Sequence, residues 1–436
     1  MQHVIIGAGP AGVVAAETIR KADPSAKVTL IGNEPENPYS RMAIPYYLVG
    51  QIPEEGTHLR KTACHFEDNS IEVRKEHVAK VDTASNSLTL ESGDTVSYDR
   101  LLIATGSRPI HLPIPGSDLP GVVNCWTLED ARQIASVCKA GNKAVLIGAG
   151  FIGCIILEAL ARSGVELTVV EAENRMVPRM MNDAAGGLIK DWCEQQGVAV
   201  RTSSRVKSIK VGSSGGFFSK LFGGGSSNVD GLTVELESGE KIAADIVISA
   251  TGVEPNTHFL KDSGIKIDHG IVVNDRLQTN VDNVYAAGDV CQGYDFSTGM
   301  QTVQAIQPTA TEHGRVAASN MVGQDLAHIG SVNMNVLDTM GLISSSFGMW
   351  MGVDGGESAE LNRPEAFQYM NLQFKDDVIV GASSLGLTNH VGVLRGLIQS
   401  RTHLGEWKQK LMDDPTRIMD AFVALNMSPS PRGALH

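Results

Sequence analysis

The chain has 436 residues, enough for two or three domains, and its apolar content is that of a globular enzyme. A formal net charge of -13 disfavours a nucleic-acid partner, because the phosphates would be repelled. The six cysteines include no C-x-x-C and no other close pair, which indicates free thiols and neither a disulfide framework nor a metal site. With no leader-like N terminus and no apolar run of about 18–20 residues, we expect a cytoplasmic protein.

The N-terminal part of the chain predicts an α/β nucleotide-binding unit. Val4–Ile6 reads as a first strand, Ala11–Lys21 as a helix and Lys27–Ile31 as a second strand. This strand–helix–strand order is typical of a parallel sheet with crossover helices. A polar segment, Glu72–Tyr98, reads as antiparallel strands inserted in this unit, with a turn at Ser92-Gly93-Asp94.

A glycine motif lies between the first strand and the helix. It reads Gly7-Ala8-Gly9-Pro10-Ala11-Gly12. Gly7 permits a tight turn, Gly9 lets the backbone approach a pyrophosphate, and Gly12 lets the helix pack on the strand. The helix N terminus offers free N–H groups and the positive end of the helix dipole to phosphates. Glu34 lies about 20 residues further on, where an acid that binds the adenosine ribose is expected.

The same arrangement returns in the middle of the chain. Ala144–Ile147, Phe151–Ser163 and Glu166–Glu171 repeat the strand, helix and strand. The second motif reads Gly148-Ala149-Gly150-Phe151-Ile152-Gly153, and its acid is Glu171. A single GxGxxG motif is weak, because glycine-rich turns also arise from packing. Two copies, each with strand, helix and acid in register, indicate two dinucleotide sites.

Glu171 bears on the choice of coenzyme. A carboxylate at this point bonds a ribose 2′-hydroxyl and repels a 2′-phosphate, so it favours NADH and makes NADPH the less favoured coenzyme. The alternative is an ordinary solvated acid after a strand, and the nearby Arg175 complicates the local charge.

Two later segments differ in character. Residues 213–228 are rich in Gly and Ser around a Phe-Phe-Ser-Lys-Leu-Phe run, which is either an apolar finger for a partner or membrane surface, or a hairpin or short helix packed on its own domain. From about Ser331 a third, α+β domain is predicted, ending in a loose tail.

Further motifs resemble those of the two-dinucleotide-binding-domain flavoproteins, the pyridine nucleotide–disulfide oxidoreductase superfamily. Ala104-Thr105-Gly106 and Ala250-Thr251-Gly252 resemble the superfamily's paired Ala-Thr-Gly segments, where the chain crosses between the nucleotide domains. The resemblance implies that the first segment binds FAD and the second binds NAD. Tyr285–Val290 resembles its second FAD fingerprint, which implies that Gly288 and Asp289 bind FAD, with the aspartate on the ribityl chain. Pro308–Gly323 resembles a helix whose first residues, Pro308, Thr309 and Ala310, point at the flavin N1/O2 edge.

The resemblance implies two Rossmann-like domains plus a C-terminal α+β domain. The FAD domain is expected at 1–112 and 255–330, the NAD(H) domain at 113–254 and an interface domain at 331–436.

A narrower resemblance comes from the Pro-Tyr-Ser-Arg and Pro-Tyr-Tyr-Leu runs at 38–41 and 45–48. They look like the branch holding rubredoxin and ferredoxin reductases, the flavin part of nitrite reductases, and NADH oxidases and coenzyme A disulfide reductases. Arg41 is then a candidate for the FAD pyrophosphate and Pro45 for packing near the flavin ring. Tyr46 and Ile155 would replace a lysine–glutamate pair of this branch and make the nicotinamide pocket more apolar, although Ile155 fits plain helix packing equally well.

Thiol catalysis of the superfamily's usual kinds is not expected. The chain has no C-x-x-x-x-C, and Met42 stands where the resemblance places a single redox cysteine. A thioether forms neither a thiolate nor a sulfenic acid. Cys291, two residues after Asp289, is expected to be a small buried side chain, and His313 a helix-surface histidine.

The resemblance therefore implies an FAD-dependent NADH:acceptor oxidoreductase, in which hydride passes from NADH to flavin N5 and electrons then pass to a redox protein or partner subunit. One alternative is an NADH oxidase or quinone/dye reductase with oxygen or a small molecule as acceptor. Another is a flavin-binding, redox-sensing subunit with little turnover. A homodimer is also compatible with the sequence.

Overall fold

The computed structural model of the chain describes residues 1–212 and 231–427. The 213–228 insert and the predicted C-terminal tail lie outside the described residues, and so do the two interpretations of the insert. No helix within the described ranges is long and apolar enough to span a bilayer.

The strands and helices follow one another in chain order. The strands are β1 (Gln2–Ile6), β2 (Lys27–Gly32), β3 (Ile71–Lys75), β4 (Val78–Asp82), β5 (Ser87–Leu90), β6 (Thr95–Ser97), β7 (Arg100–Ile103), β8 (Ser107–Pro109), β9 (Val122–Asn124), β10 (Lys143–Ile147), β11 (Glu166–Val170), β12 (Ala199–Arg201), β13 (Val206–Val211), β14 (Leu232–Leu236), β15 (Lys241–Ala244), β16 (Ile246–Ser249), β17 (Val253–Pro255), β18 (Ile271–Val272), β19 (Val284–Ala286), β20 (Cys291–Asp295), β21 (Met300–Thr302), β22 (Met334–Thr339), β23 (Leu342–Gly348), β24 (Glu357–Arg363), β25 (Gln368–Lys375) and β26 (Val378–Leu385). The helices are α1 (Pro10–Ala22), α2 (Ile44–Leu48), α3 (His65–Asp68), α4 (Leu128–Val137), α5 (Phe151–Arg162), α6 (Asp183–Gln195), α7 (Gln307–Met321), α8 (Val391–Ser400), α9 (Trp407–Asp413) and α10 (Ile418–Met427).

The chain folds as two units, and the first comprises Met1–His111, Cys125–Ala135 and Gly252–Ser331. Its central sheet is parallel, in the order β19-β7-β1-β2-β3. Strands buried on both faces need continuous apolar runs, which β1 and β7 provide. Helices α1 and α7 pack so closely that a Cβ at Gly314 would lie 2.3 Å from the carbonyl oxygen of Ala11.

One strand departs from the sequence prediction. The residues from Ile71 to Lys75 form a parallel edge strand beside β2, so only β4, β5 and β6 make the expected antiparallel sheet. The edge position explains the error, because Glu72 and Arg74 form an ion pair that leaves both side chains partly exposed and gives the strand a polar pattern. The predicted turn is present, with Gly93 at φ +91°.

The second unit comprises Leu112–Asn124, Ser136–Thr251 and Val332–His436. Its parallel sheet has the order β12-β11-β10-β16-β9, and β13, β14 and β15 form a small antiparallel sheet. The two predicted α/β units are therefore present, and their element boundaries differ from the predictions by one or two residues.

The C-terminal residues contain the predicted mixture of helices and strands. An antiparallel sheet, in the order β22-β23-β26-β25-β24, has its own apolar core with α8, which includes Phe347, Leu372 and Leu397. The division into three domains at 112/113, 254/255 and 330/331 stays a prediction. Cys125–Ala135 groups with the first unit, although the sequence prediction assigned it to the NAD(H) domain.

Candidate nucleotide-binding sites

The first glycine motif connects β1 to α1 in a turn that requires its glycines. Gly7 has φ +112°, and a Cβ there would lie 2.1 Å from the carbonyl oxygen of Ala104. A Cβ at Gly12 would lie 1.9 Å from the carbonyl oxygen of Gly7. By contrast, no other described residue, apart from the chain neighbours, has an atom within 4 Å of a Cβ at Gly9. The motif is thus closed by packing at Gly7 and Gly12 and open at Gly9.

The N terminus of α1 fits a phosphate group. Gly9 is the N-cap and has no side chain to cap the helix, and the first turn contains Pro10 and Ala11 but no acidic residue. The N–H groups of this turn therefore have no side-chain acceptor, and the helix dipole adds a positive potential. Since the space over Gly9 is also free, the turn can hold the FAD pyrophosphate.

Three segments that the sequence assigned to FAD meet at Gly288. A Cβ at this residue would lie 3.3 Å from the Cβ of Ala11 and 3.4 Å from the Cβ of Ala310. Pro308 and Thr309 precede Ala310 in the first turn of α7, which has neither a side-chain cap nor an acidic residue. The first glycine motif, the second fingerprint and the α7 N terminus therefore surround one position.

Asp289 follows Gly288 and is partly buried. Desolvation raises the pKa of its carboxyl, while a hydrogen bond from Ser107 and the charge of Arg41 act in the opposite direction. Ser107 Oγ donates to Asp289 Oδ2 at 3.2 Å. A partly buried carboxylate that accepts this bond retains acceptor sites for the hydroxyl groups of a ribityl chain.

Glu34 and Arg41, which the sequence assigned to different parts of FAD, contact each other. Arg41 Nη2 donates to Glu34 Oε1 at 2.6 Å, and the Tyr39 hydroxyl donates to Glu34 Oε2. Arg41 Nη1 donates to the Tyr39 hydroxyl and to the carbonyl oxygen of Trp126, at 3.0 and 2.5 Å. A guanidinium has five N–H donors, so Arg41 retains donors for a phosphate.

The loop that carries Arg41 is tied to α7. Ser40 Oγ donates to the side-chain oxygen of Gln307, the first residue of α7, at 2.6 Å. Pro45 and Tyr46 lie in the short helix α2, with the Tyr46 side chain 54% exposed. Met42 is 48% exposed.

The second glycine motif, in the second unit, has the same geometry. A Cβ at Gly148, which has φ +98°, would lie 2.5 Å from the carbonyl oxygen of Ala250, and one at Gly153 would lie 2.1 Å from that of Gly148. The position over Gly150 is open, as it is over Gly9. Gly150 is an uncapped N-cap, and Phe151 and Ile152 begin α5 with no acid in its first turn. This turn too fits a pyrophosphate.

Glu171 lies beside that motif and is 7% exposed. Its Oε2 accepts from the backbone N–H of Ala149 at 2.6 Å, and its Oε1 accepts from that of Glu173 at 2.9 Å. Arg175, which lies close to Glu171 in the sequence, instead donates to the carbonyl oxygen of Met181 and to Asp183 Oδ1, both at 2.8 Å. Glu171 therefore faces the glycine loop without a direct cationic partner among the bonds described.

The two Ala-Thr-Gly segments lead into strands that pair. Strands β8 and β17, which follow Gly106 and Gly252, are antiparallel neighbours. The Thr105 hydroxyl donates to the carbonyl oxygen of Asn256 at 2.9 Å, and Asn256 Nδ2 returns a bond to that of Thr105 at 3.0 Å. Thr251 ends its stretch of the second unit, and Gly252 begins a stretch of the first. Ile155, on α5, is partly buried, which agrees with either of its two predicted roles.

The cysteines are free, and five of the six are buried. Cys291 has no exposed surface, so the expectation of a small buried side chain is confirmed. Burial raises the pKa of its thiol to about 12. Cys64 is exposed. The expectation for His313 was wrong, because this histidine is 2% exposed. Its ring packs edge-on against the ring of His328, with the ring centroids 4.6 Å apart.

Sequence reasoning missed several residues that organise the first unit. Ser107 and Tyr39 lie in or next to the recognised motifs, so their polar side chains could have been predicted to take part in the site. Trp126 lies just before α4 and Arg132 lies within it, and neither belongs to a recognisable sequence motif. Only the fold brings them to the first unit.

Comparison with known proteins identifies the family. The family model "Pyridine nucleotide-disulphide oxidoreductase" matches residues 1–310. The chain is 29% identical over 421 residues to the NADH-dependent phenylglyoxylate dehydrogenase subunit epsilon of Aromatoleum evansii, covering 96% of both chains. It is 32% identical over 332 residues to an NADH oxidase of Methanocaldococcus jannaschii, covering 74% of this chain and 70% of that one.

A solved structure agrees in fold. The NAD-dependent persulfide reductase from A. fulgidus superposes with a TM-score of 0.84 at 25% identity, covering 98% of this chain and 83% of that one. Two glycine motifs of matching geometry, each ahead of an uncapped helix, account for the family match in physical terms. The chain belongs to the pyridine nucleotide-disulphide oxidoreductase family.

Proposed function

We propose that the chain is an FAD-dependent NADH:acceptor oxidoreductase whose acceptor is a partner subunit or a small redox protein. Bound FAD would supply the redox chemistry, taking a hydride from NADH and releasing electrons to the acceptor. The observation that carries the proposal is the pair of open glycine turns, at Gly9 and Gly150, in a chain of this family.

In the first unit, the chain's own residues would bind and orient FAD. The N–H groups at the start of α1 and the free donors of Arg41 would hold the pyrophosphate, and Glu34 the adenosine ribose. Asp289 would accept from the ribityl hydroxyls. The first turn of α7, led by Pro308 and Thr309, would stabilise negative charge at the flavin edge through its dipole.

In the second unit, the turn at Gly150 would hold the pyrophosphate of NADH, and Glu171 would accept from the adenosine ribose hydroxyls. A 2′-phosphate on that ribose would meet a carboxylate with no direct cationic partner, so NADH is the preferred coenzyme.

The acceptor we favour is a partner subunit. The relative from Aromatoleum evansii is named as one subunit of an NADH-dependent dehydrogenase, and the two chains cover each other almost completely. A built-in thiol acceptor is disfavoured, since the sequence has Met42 in the flavin loop and the one exposed cysteine, Cys64, lies in none of the proposed cofactor segments. A homodimer is a further proposal, which light scattering of the purified protein would test.

The second candidate function is an NADH oxidase, favoured by the Methanocaldococcus jannaschii relative of that name. Oxygen would then replace the partner as acceptor. The third, a redox-sensing subunit with little turnover, would show flavin reduction by NADH over seconds or longer.

Steady-state assays separate these functions. The purified, FAD-loaded chain is given NADH in air, and then NADH anaerobically with a ferredoxin, a rubredoxin or a dye. The proposal predicts slow NADH consumption in air and fast reduction of a protein acceptor or dye. Fast consumption in air alone would assign the oxidase function. Gly150→Ala is the control, since it should abolish every NADH-dependent rate while leaving FAD bound.

A further inference from the structure

Trp126 belongs to a short stretch of chain that serves the first unit. Residues Leu112–Asn124 lie in the second unit, Cys125–Ala135 lie in the first, and Ser136 returns to the second. The stretch is anchored by Arg132, whose guanidinium bonds Glu54 at 2.7 Å and Glu36 at 2.8 Å. These ion pairs fix Trp126 relative to the loop that carries Arg41.

Trp126 contacts Arg41 in two ways. Its carbonyl oxygen accepts from Arg41 Nη1 at 2.5 Å, and its ring lies 5.1 Å from the guanidinium carbon. The ring of Tyr39 lies 5.6 Å from the same carbon. The guanidinium is therefore held by two aromatic faces, a carbonyl oxygen and the carboxylate of Glu34, which restricts it to one orientation.

The indole nitrogen of Trp126 reaches a second part of the site. Nε1 donates to the carbonyl oxygen of Ser107 at 3.0 Å, and the side chain of Ser107 donates to Asp289. Trp126 thus joins Arg41, on one side, to the backbone that positions Ser107 and its carboxylate partner on the other. The backbone N–H of Trp126 donates to Asp130 Oδ2 at 3.0 Å.

We propose that Trp126 is a positioning residue of the FAD site. It orients Arg41 toward the pyrophosphate and Ser107 toward Asp289. In both roles it acts through these residues and does not itself contact FAD. This inference rests on the proposed binding of FAD to the first unit. The two contacts of Trp126 make separate contributions, because the ring supports the guanidinium and the indole N–H supports the Ser107 backbone.

The test is FAD titration of apoprotein, followed by flavin fluorescence, for the wild type, Trp126→Phe and Trp126→Leu. Trp126→Leu removes the ring and the indole N–H, and we expect it to raise the Kd for FAD by up to about tenfold, which is the size of a partly desolvated cation–π contact. Trp126→Phe retains a ring and should give a smaller rise. Trp192→Leu is the matched control: its Nε1 donates to the carbonyl oxygen of Met340 at 3.3 Å and its ring packs on Phe367, all in the second unit. Its Kd should be that of the wild type.

A double-mutant cycle with Arg41→Met distinguishes positioning from general loosening of the fold. In the Arg41→Met background, the change from Trp126 to Leu should alter the Kd for FAD less than in the wild type, because only the support of the Ser107 backbone remains to be lost. Equal effects in both backgrounds, or equal Kd values for Trp126→Leu and Trp192→Leu, would overturn the inference. If the wild-type apoprotein itself fails to bind FAD, the proposed function fails instead.

Discussion

The carboxylate of Glu171 accepts a 2.6 Å hydrogen bond from the backbone N–H of Ala149, the second residue of the second glycine motif. One acid therefore fixes the loop that would hold a pyrophosphate and offers its remaining acceptor sites to a ribose. The first motif lacks this arrangement, because Glu34 is bonded to Tyr39 and Arg41 instead. The two sites have the same kind of glycine turn, but Glu171 bonds the backbone of its turn whereas Glu34 bonds neighbouring side chains.

Coenzyme preference should follow from Glu171. We expect Glu171→Arg to shift the NADPH-to-NADH ratio of kcat/KM by at least tenfold, about 1.4 kcal/mol, because repulsion of a 2′-phosphate becomes attraction. Loss of the bond to Ala149 should also weaken NADH binding. Glu173→Arg, which makes the same charge change two residues away, is the control. An unchanged coenzyme ratio in Glu171→Arg would remove this residue from the ribose site.

The open position at Gly9 makes a separate prediction. Gly9 has φ -79° and ψ -173°, which alanine adopts readily, and a Cβ there meets no described atom beyond its chain neighbours. Gly9→Ala should therefore fold normally but lose FAD, since the methyl group would occupy the space of the pyrophosphate. The measurements are the flavin-to-protein absorbance ratio and the Tm of the apoprotein.

Gly12→Ala is the matching variant for Gly9→Ala. Its Cβ would lie 1.9 Å from the carbonyl oxygen of Gly7, so we expect the apoprotein itself to lose stability, by about 1–3 kcal/mol or more. If Gly9→Ala retained a full complement of FAD, the pyrophosphate would not lie over this turn.

These two glycines also show what the sequence could and could not predict. The motif spacing, together with the flanking strand and helix, predicted the roles of both, because these elements are local in the chain. The contacts of Arg41 with Glu34 and Trp126 could not be predicted from the sequence, because they depend on loops that meet only in the folded first unit. Residues 72–75 were misassigned because an edge strand and a solvent-facing hairpin share the same polar pattern.

Acid stability should depend on buried histidines. Burial lowers the pKa of His3 and His328, and that of His313 to about 3, so the folded state holds these rings neutral. Their contribution to stability is complete above the unfolded pKa of about 6.5 and is lost as the pH falls from there toward the folded values. For His313 we expect this loss to lower the free energy of unfolding by about 1 kcal/mol between pH 6 and 5.

Urea unfolding of His313→Gln at pH 7 and pH 5 tests this account. The variant should lose less stability on acidification than the wild type, whatever its stability at pH 7. His403→Gln, at a side chain that is 84% exposed, should keep the wild-type difference. An unaltered pH dependence in His313→Gln would mean that this ring is not held neutral by the fold.

Thiol chemistry should be dispensable. Cys64 is the one exposed cysteine, and the other five are buried. We expect Cys64→Ser, and wild-type protein alkylated under native conditions, to reduce a dye with NADH at the unmodified rate. Mass spectrometry would count the alkylated thiols. A large loss of rate in Cys64→Ser would show that a thiol takes part in turnover.

The most direct test of two cooperating nucleotide sites is an anaerobic NADH titration of the FAD-reconstituted chain, followed by its visible flavin absorbance. We predict one FAD per chain, bleached by one equivalent of NADH and much more slowly by NADPH. A polypeptide that stays colourless after reconstitution, or a bound flavin that NADH does not bleach, would contradict the account.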